Sequence, residues 1–384
     1  MAKKPTLHLV GIFHTVHNQE YSHCAFTGKA LRFSRMMQMY GYDVVEYANE
    51  GSESEAVEKV SMLTKDEVQK YLIQDKEKFH GNLAATGTPH HSLFEERLRA
   101  AIIQRAQPGD LICHPFGHSH SALMSDLPKH IHVETGIGYP TLMKGTMRIF
   151  ESYAWRHYHC AKEDRQGTNY EWVIPNYFEV RDWEPSYEPG KYIAFLGRIS
   201  SCKGLDTILE IAKYLTDKKI VLCGQGDPSP WAHKNIEYWG PLMGKQRSEF
   251  MRNAICSIMP TNFIEPFGGS GVEGMLCGTP LIATDYGAFT ETVIPGVTGY
   301  RCKTLLDWLE AIDMIENIDR KEVASIARSR YSLEACGAQY DKAFTQISEL
   351  YANGWYTLPE KYKCRYQPPP QQVKQSADSC VAAR

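Results

Sequence analysis

Short apolar runs of four or five residues alternate along the chain with longer stretches whose apolar positions recur every three or four residues. The first pair is Leu7-His-Leu-Val-Gly11 followed by a helical period over residues 26–40. Strands are predicted again at 43–47, 110–113 and 130–133, with a helix at 95–105. Apolar runs of this length that end in glycine or polar residues read as buried strands, so their alternation with helices predicts a parallel sheet covered by helices. The same grammar restarts after residue 190, with strands at 192–196, 220–223, 255–259 and 280–283 and helices at 205–215, 272–277 and 333–351.

Between the two series, residues 182–190 are rich in proline and acid and offer a core little to bury, as a linker does. The expected division is an N-terminal domain over 1–185, a C-terminal domain over 186–352, a crossover segment over 353–366 returning towards the first domain, and a disordered tail over 367–384. That tail carries three consecutive prolines flanked by glutamines and has no apolar period, a composition that cannot build a core.

Composition narrows the partners. A chain of 384 residues is roughly twice the usual domain size. With 43% hydrophobic and 23% charged residues it is an ordinary globular protein. A net charge of -3 gives no global positive field, which disfavours nucleic acid as a partner while leaving a local basic patch open. The eleven cysteines form no C-x-x-C pair, so neither a zinc knuckle nor a disulfide framework is expected; reduced thiols in a cytoplasmic protein are. No apolar run reaches the roughly 18 residues of a membrane span, and the start leads into a strand without a signal-peptide stretch, so peripheral contact is the most that is expected with a membrane.

Two segments carry candidate chemistry. Gly197 and Arg198 follow a predicted strand, and Lys203 stands five residues later before a helix; two cations beyond the carboxyl end of a strand suit a diphosphate, or they are simply a solvated loop. Further on, Phe267, Gly268, Gly269, Ser270 and Gly271 crowd the entrance of a helix whose first amides would be free to bind phosphate. Glu265 and Glu273 bracket that entrance, placing one carboxylate near sugar hydroxyls and the other near a ribose; alternatively Glu273 only stabilises the helix end.

In order, Phe195-Leu-Gly-Arg198, Lys203-Gly204, Leu222-Cys-Gly-Gln-Gly226, Tyr238-Trp-Gly-Pro-Leu242, Pro260-Thr261, Glu265-Pro-Phe-Gly268, Glu273-Gly-Met-Leu-Cys-Gly-Thr-Pro280 and Gly296-Val-Thr-Gly299 resemble retaining glycosyltransferases of the GT-B fold, family 4, also termed glycosyltransferase group 1. The likeness runs over about residues 190–350 and is loose before that. It implies an α/β protein of two Rossmann-like doubly wound domains facing each other across a cleft, moving a sugar from a nucleoside diphosphate sugar, by default UDP-glucose, to a hydroxyl of a saccharide or glycan. It implies that Arg198 and Lys203 neutralise the departing diphosphate, that Glu265 holds the sugar and Glu273 the ribose, and that Phe267, Gly268, Gly269 and Ser270 hold phosphate or sugar oxygens. Gly224, Gly226, Pro241 and Leu242 would line the base pocket. The chain has no Asp-x-Asp pair, so no metal and no other cofactor is expected.

The first half is less specific. Family members place a glycine-rich loop after the first strand; here only Gly11 remains of it, before His14 and Thr15. Thr27 and Lys29 would open the first long helix towards the cleft, with Lys29 equally able to face solvent. His114, His118 and His120 fall within seven residues, but the proline and glycine between them break any helical alignment, so an acceptor contact at His118 or simple packing is expected rather than a metal site. Where the family carries a histidine at the end of a strand, this chain has Glu134, two residues after His132 on the same strand face; Glu134 would orient or deprotonate the acceptor, or pair with a cation. Tyr153, Trp155 and Tyr158 beside Arg148 and Arg156 would stack a sugar or be ordinary helix side chains. Three other readings stay open: a sugar-nucleotide epimerase of related fold, a transferase acting on a modified nucleic-acid base, and a catalytically silent nucleotide-sugar-binding protein.

Overall fold

The computed structural model describes residues 4–21, 24–72, 84–188 and 190–354 together with Leu358 and Tyr362. The tail over 367–384 and most of the expected crossover over 353–366 lie outside the described residues. The first half contains β1 (Leu7–Val10), α1 (Ala25–Gln38), β2 (Val44–Ala48), β3 (Glu58–Ser61), α2 (Lys65–Tyr71), α3 (Pro89–Ile103), β4 (Leu111–Cys113), α4 (Leu123–Asp126), β5 (Ile131–Ile137), β6 (Met147–Phe150), α5 (Tyr153–Lys162) and β7 (Glu171–Val173). All seven strands are parallel, in the order β3-β2-β1-β4-β5-β6-β7.

The second half contains β8 (Tyr192–Leu196), α6 (Leu205–Ala212), β9 (Ile220–Cys223), β10 (Ile236–Gly240), α7 (Lys245–Arg252), β11 (Ala254–Met259), α8 (Gly269–Leu276), β12 (Leu281–Thr284), α9 (Phe289–Thr292), β13 (Gly299–Cys302), α10 (Leu305–Met314), α11 (Arg320–Tyr331) and α12 (Leu333–Asn353). Its six strands are again all parallel, in the order β10-β9-β8-β11-β12-β13. The strand order reverses between β1 and β4 in one sheet and between β8 and β11 in the other. Such switch points open a crevice beyond the carboxyl ends of the strands, where ligands bind in open α/β sheets. The two doubly wound units and the cleft side of each are therefore fixed by topology.

The inner strands were legible because both their faces are covered: β1, β8 and β9 are buried at every position and read as apolar runs, broken only by His8 in β1. Of the strands with no counterpart in the sequence pattern, all but β6 lie at the edges of the sheets. β3 reads Glu-Lys-Val-Ser and is largely exposed, and β10 interleaves glutamate and aromatics, since an edge strand has a wet side and gains from charge.

The division of the chain differs from the expected one at both ends. Tyr177 belongs to the core of the first sheet, together with Leu7, Phe33 and Val133, whereas Phe178 already belongs to the core of the second. The boundary thus falls between two adjacent residues, ahead of the proline-rich stretch. On the return, Tyr331 packs in the second core, while Leu333, Cys336, Tyr340, Phe344 and Ile347 of α12 pack in the first. The helix counted by position with the C-terminal domain therefore completes the N-terminal one, with Tyr340 and Phe344 set edge-on against Phe33 and Asp341 bonded to Lys4 and Tyr42. The two crossings run side by side, joined by Phe178 N–H donating to Tyr331 O at 2.8 Å.

Phe344 is fully buried, so Phe344→Ala is expected to cost about 3–5 kcal/mol. Because the lost contacts lie in the first core, hydrogen exchange should accelerate in β1 and β4, with β8 and β11 unchanged.

Candidate functional site

The loops that leave the carboxyl ends of β8, β9 and β10 are knitted backbone to backbone. Gly197 N–H donates to Cys223 O at 2.9 Å, Ile199 N–H to Gln225 O at 2.8 Å and Gly224 N–H to Gly240 O at 3.1 Å. A Cβ at Gly224 would stand 1.8 Å from Gly197 O, on a backbone with φ +150°, so only glycine lets these loops meet. Gly204 has φ +84° and a Cβ there would stand 1.8 Å from Pro260 O, which seats the start of α6 on the end of β11. Asn262 N–H then donates to Cys202 O at 3.0 Å. That close approach brings two sequence-distant residues together: Lys203 Nζ lies 2.7 Å from Glu265 Oε2 and 4.6 Å from the centre of the Phe263 ring. Arg198 is exposed on the same loop.

The residue before α8 is Gly268, which has φ +81° and provides no side-chain cap, so the first-turn amides of Gly269 and Ser270 have no capping oxygen from it. They present the positive end of the helix dipole to the crevice. Phe267 is buried beneath this turn. Glu273, in the second turn, is held by Arg247 of α7 through Nε at 3.1 Å and through Nη2. Both contacts reach Oε2, and Lys203 likewise engages Oε2 of Glu265. Oε1 of each carboxylate carries no hydrogen bond among the described residues and is left for hydroxyl donors. Pro241 and Leu242 follow β10 and are half-buried. Arg247 was missed in the sequence because a cation on a polar helix face looks solvated; its spacing to Glu273 has no motif.

On the N-terminal side the predicted residues are present but mostly consumed by one another. Gly11 is required by packing, since a Cβ there would stand 2.3 Å from Tyr47 O. Thr15 and Thr27 are both buried and bond to each other at 2.5 Å. Lys29 does not face solvent: it is buried, bonded to Glu151 and, at 2.7 Å, to Gly136 O. Glu134 departs furthest from the expected acceptor role and meets the other expectation, lying 3.8 Å from Arg148 Nε. β5 continues to Ile137, which places Glu134 inside the strand, fully buried, where it accepts from Tyr139 Oη (2.9 Å), Met143 N–H (3.1 Å) and Thr146 Oγ1 (2.7 Å). It anchors the 139–146 segment and is closed to an acceptor, with burial pushing its pKa up.

His132 is likewise closed, its ring wedged between His114 Nε2 and Leu127 O, each at 3.0 Å. His120 turns to Glu95, and His118 is exposed, so the three histidines diverge. Among the described residues no group of three or more His, Cys, Asp or Glu is placed to share a metal ion. Trp155 is buried and stacks on Tyr158 at 4.6 Å, an ordinary helix contact, and Arg148 and Arg156 are spent on Glu171. His14 lies between the Phe13 and Phe116 rings at 5.1 and 5.0 Å.

Two parallel doubly wound units with a ligand site at the carboxyl ends of the second define the GT-B architecture, and residues 178–331 match the family model for glycosyl transferases group 1. That segment of the chain belongs to this family. The chain is similar to a 2-deoxystreptamine N-acetyl-D-glucosaminyltransferase of Niallia circulans, 30% identical over 121 residues, covering 28% of this chain and 31% of that protein. It is also similar to a D-inositol 3-phosphate glycosyltransferase of Mycolicibacterium smegmatis, 29% identical over 171 residues, covering 40% and 38%. The aligned parts thus span less than two-fifths of the length of these relatives. In fold, the chain resembles a sucrose-phosphate synthase of Thermosynechococcus elongatus (TM-score 0.63, 14% identity, 90% of this chain and 99% of that one). It also resembles Anabaena HepE in complex with UDP-glucose (TM-score 0.61, 13% identity, 89% and 99%).

Burial pulls the His14 pKa down to about 3, with His90 and the other neighbouring histidines adding to the effect. The unfolded chain therefore binds a proton that the folded protein refuses between pH 6.5 and about 3, so stability falls as pH drops through that window. His14→Phe is expected to flatten this slope, measured by denaturant titrations at pH 7, 6 and 5.

Proposed function

We propose that this protein is a retaining glycosyltransferase that moves a sugar from a nucleoside diphosphate to a hydroxyl of a saccharide or glycan acceptor, with uridine diphosphate as the leaving group. The observation that carries the proposal is the meeting of two carboxylate–cation pairs, Lys203–Glu265 and Arg247–Glu273, on either side of an uncapped helix N-terminus at the carboxyl ends of β8 and β11. The helix end and Arg198 and Lys203 meet the diphosphate. Glu265 turns its open oxygen to the sugar, and Glu273 to the ribose. Charge that builds on the departing phosphate is met by dipoles and cations already in place.

In this reading the acceptor attacks from the face that the diphosphate leaves. The bond from the anomeric carbon to the phosphate oxygen breaks, the bond to the acceptor oxygen forms, and the acceptor proton passes to the departing phosphate. No protein nucleophile is needed, in keeping with a Glu134 that is locked inside β5. The reaction runs without a metal. The UDP-glucose complex of the Anabaena neighbour supports the uridine donor, and relatives named for 2-deoxystreptamine and for D-inositol 3-phosphate support a hydroxyl-bearing ring as acceptor. Nine free cysteines among the described residues support a reducing, cytoplasmic compartment.

Arg198→Ala and Lys203→Ala should each lower turnover by about a hundredfold or more, read as release of nucleoside diphosphate from a panel of sugar nucleotides with saccharide acceptors. Near-normal rates in both variants would overturn the assignment. Activity should also be unchanged by EDTA; a loss restored by Mg²⁺ or Mn²⁺ would contradict the metal-free mechanism.

A further inference from the structure

α1 carries a guanidinium that no motif announces. A Cβ at Gly28 would stand 3.4 Å from both terminal nitrogens of Arg32. The head group therefore lies back along α1 towards the cleft end of the helix, the direction in which helical side chains lean. Its Nε donates to Tyr177 O at 3.2 Å, and the guanidinium lies 5.2 Å from the centre of the Phe178 ring. That same ring stacks on Phe267 at 6.3 Å, and a Cβ at Gly269 would stand 4.0 Å from its Cζ. Arg32 thus reaches from the N-terminal domain to within one aromatic ring of the first turn of α8.

Among the described residues no carboxylate pairs with it at contact distance. The Tyr177 carbonyl is its one hydrogen-bond partner among the described residues. Glu273 is near enough to favour the charge but is taken by Arg247, which itself opposes Arg32. Asp182 also favours it from beyond ion-pair distance, and is shared with Arg35 and Lys245. A half-buried cation close to a second cation and to the positive end of a helix is unfavourable in the empty protein and becomes favourable when an anion arrives.

We propose that Arg32 is a donor-binding residue that contacts the diphosphate of the sugar nucleotide from the N-terminal side, opposite Arg198 and Lys203. This rests on the donor assignment made above. A planar fork can take two phosphate oxygens together, which a lysine cannot. With cations on both walls, the diphosphate draws the two domains towards each other, so that closure of the cleft is linked to occupancy.

The test is calorimetric titration of the full chain with UDP and, separately, with uridine. Arg32→Gln should weaken UDP binding by about tenfold or more and leave uridine binding unchanged, and Arg32→Lys should recover part of the loss. The salt dependence of UDP binding should also become shallower in Arg32→Gln, as one charge contact is lost. UDP binding by Arg32→Gln within about twofold of the unaltered protein overturns the inference, as does an equal loss for UDP and uridine, which marks a structural role. If the unaltered protein binds none of UDP, GDP and ADP, the donor assignment itself fails.

Discussion

The hydrogen bond from Phe178 N–H to Tyr331 O is the point on which the rest of the molecule turns. The chain leaves one core and enters the other within a single peptide, and it returns beside the place where it left. Every other relation between the two sheets is built outward from that tie. Further contacts join the two walls: Ser152 Oγ donates to Pro266 O at 2.6 Å, and the Glu291 carboxylate accepts from the first amides of α5, Tyr153 N–H at 3.0 Å and Ala154 N–H at 2.8 Å. The acidic side chain of one domain thereby caps a helix of the other. Pro266 sits between Glu265 and Phe267, so the segment that presents the Glu265 carboxylate is also the segment against which the N-terminal domain rests.

The site is an arrangement of compensated charges. Two carboxylates are each held by one cation through one oxygen, which aims them and leaves the second oxygen open. Half-buried pairs of this kind contribute modestly to stability; their value lies in orientation. The glycines around them serve the same end. Gly224 and Gly204 are places where one backbone must pass within touching distance of another, and the Lys203–Glu265 pair exists because Gly204 lets α6 start against Pro260.

The glycines and the uncapped helix start of the second unit were legible because each answers a demand that shows in the sequence itself. Close backbone approach requires glycine, phosphate binding requires a free helix N-terminus, and both leave marks that a single chain displays. The candidates of the first unit were not, because the status of Glu134, His132 and Lys29 depends on which neighbours bury them, and burial is a tertiary property. Glu134 looked like a residue at a strand end, but β5 runs three residues past it. Arg247 and Arg32 were hidden for the opposite reason: a basic residue on an amphipathic helix looks solvated until the facing element is known. α12 was correctly read as a helix over 333–351 against an observed Leu333–Asn353, yet its apolar stripe does not say which of two cores it will enter.

The two adjacent crossings make the second domain an insertion. Residues 178–331 begin and end at the same spot, and the first domain is assembled from chain on both sides of them, with α12 closing a core begun at β1. Such an insert could be lengthened or exchanged during evolution while the host kept its own core, provided that the two cut ends still met. The group 1 family model covers these same 178–331 limits, so the part of the chain that family likeness can see coincides with the inserted part. On the other wall of the cleft, where the family resemblance implies a glycine-rich loop after β1, this chain instead carries His14, Thr15 and a buried His17–Glu46 pair, so that wall is shaped by side chains rather than by bare backbone.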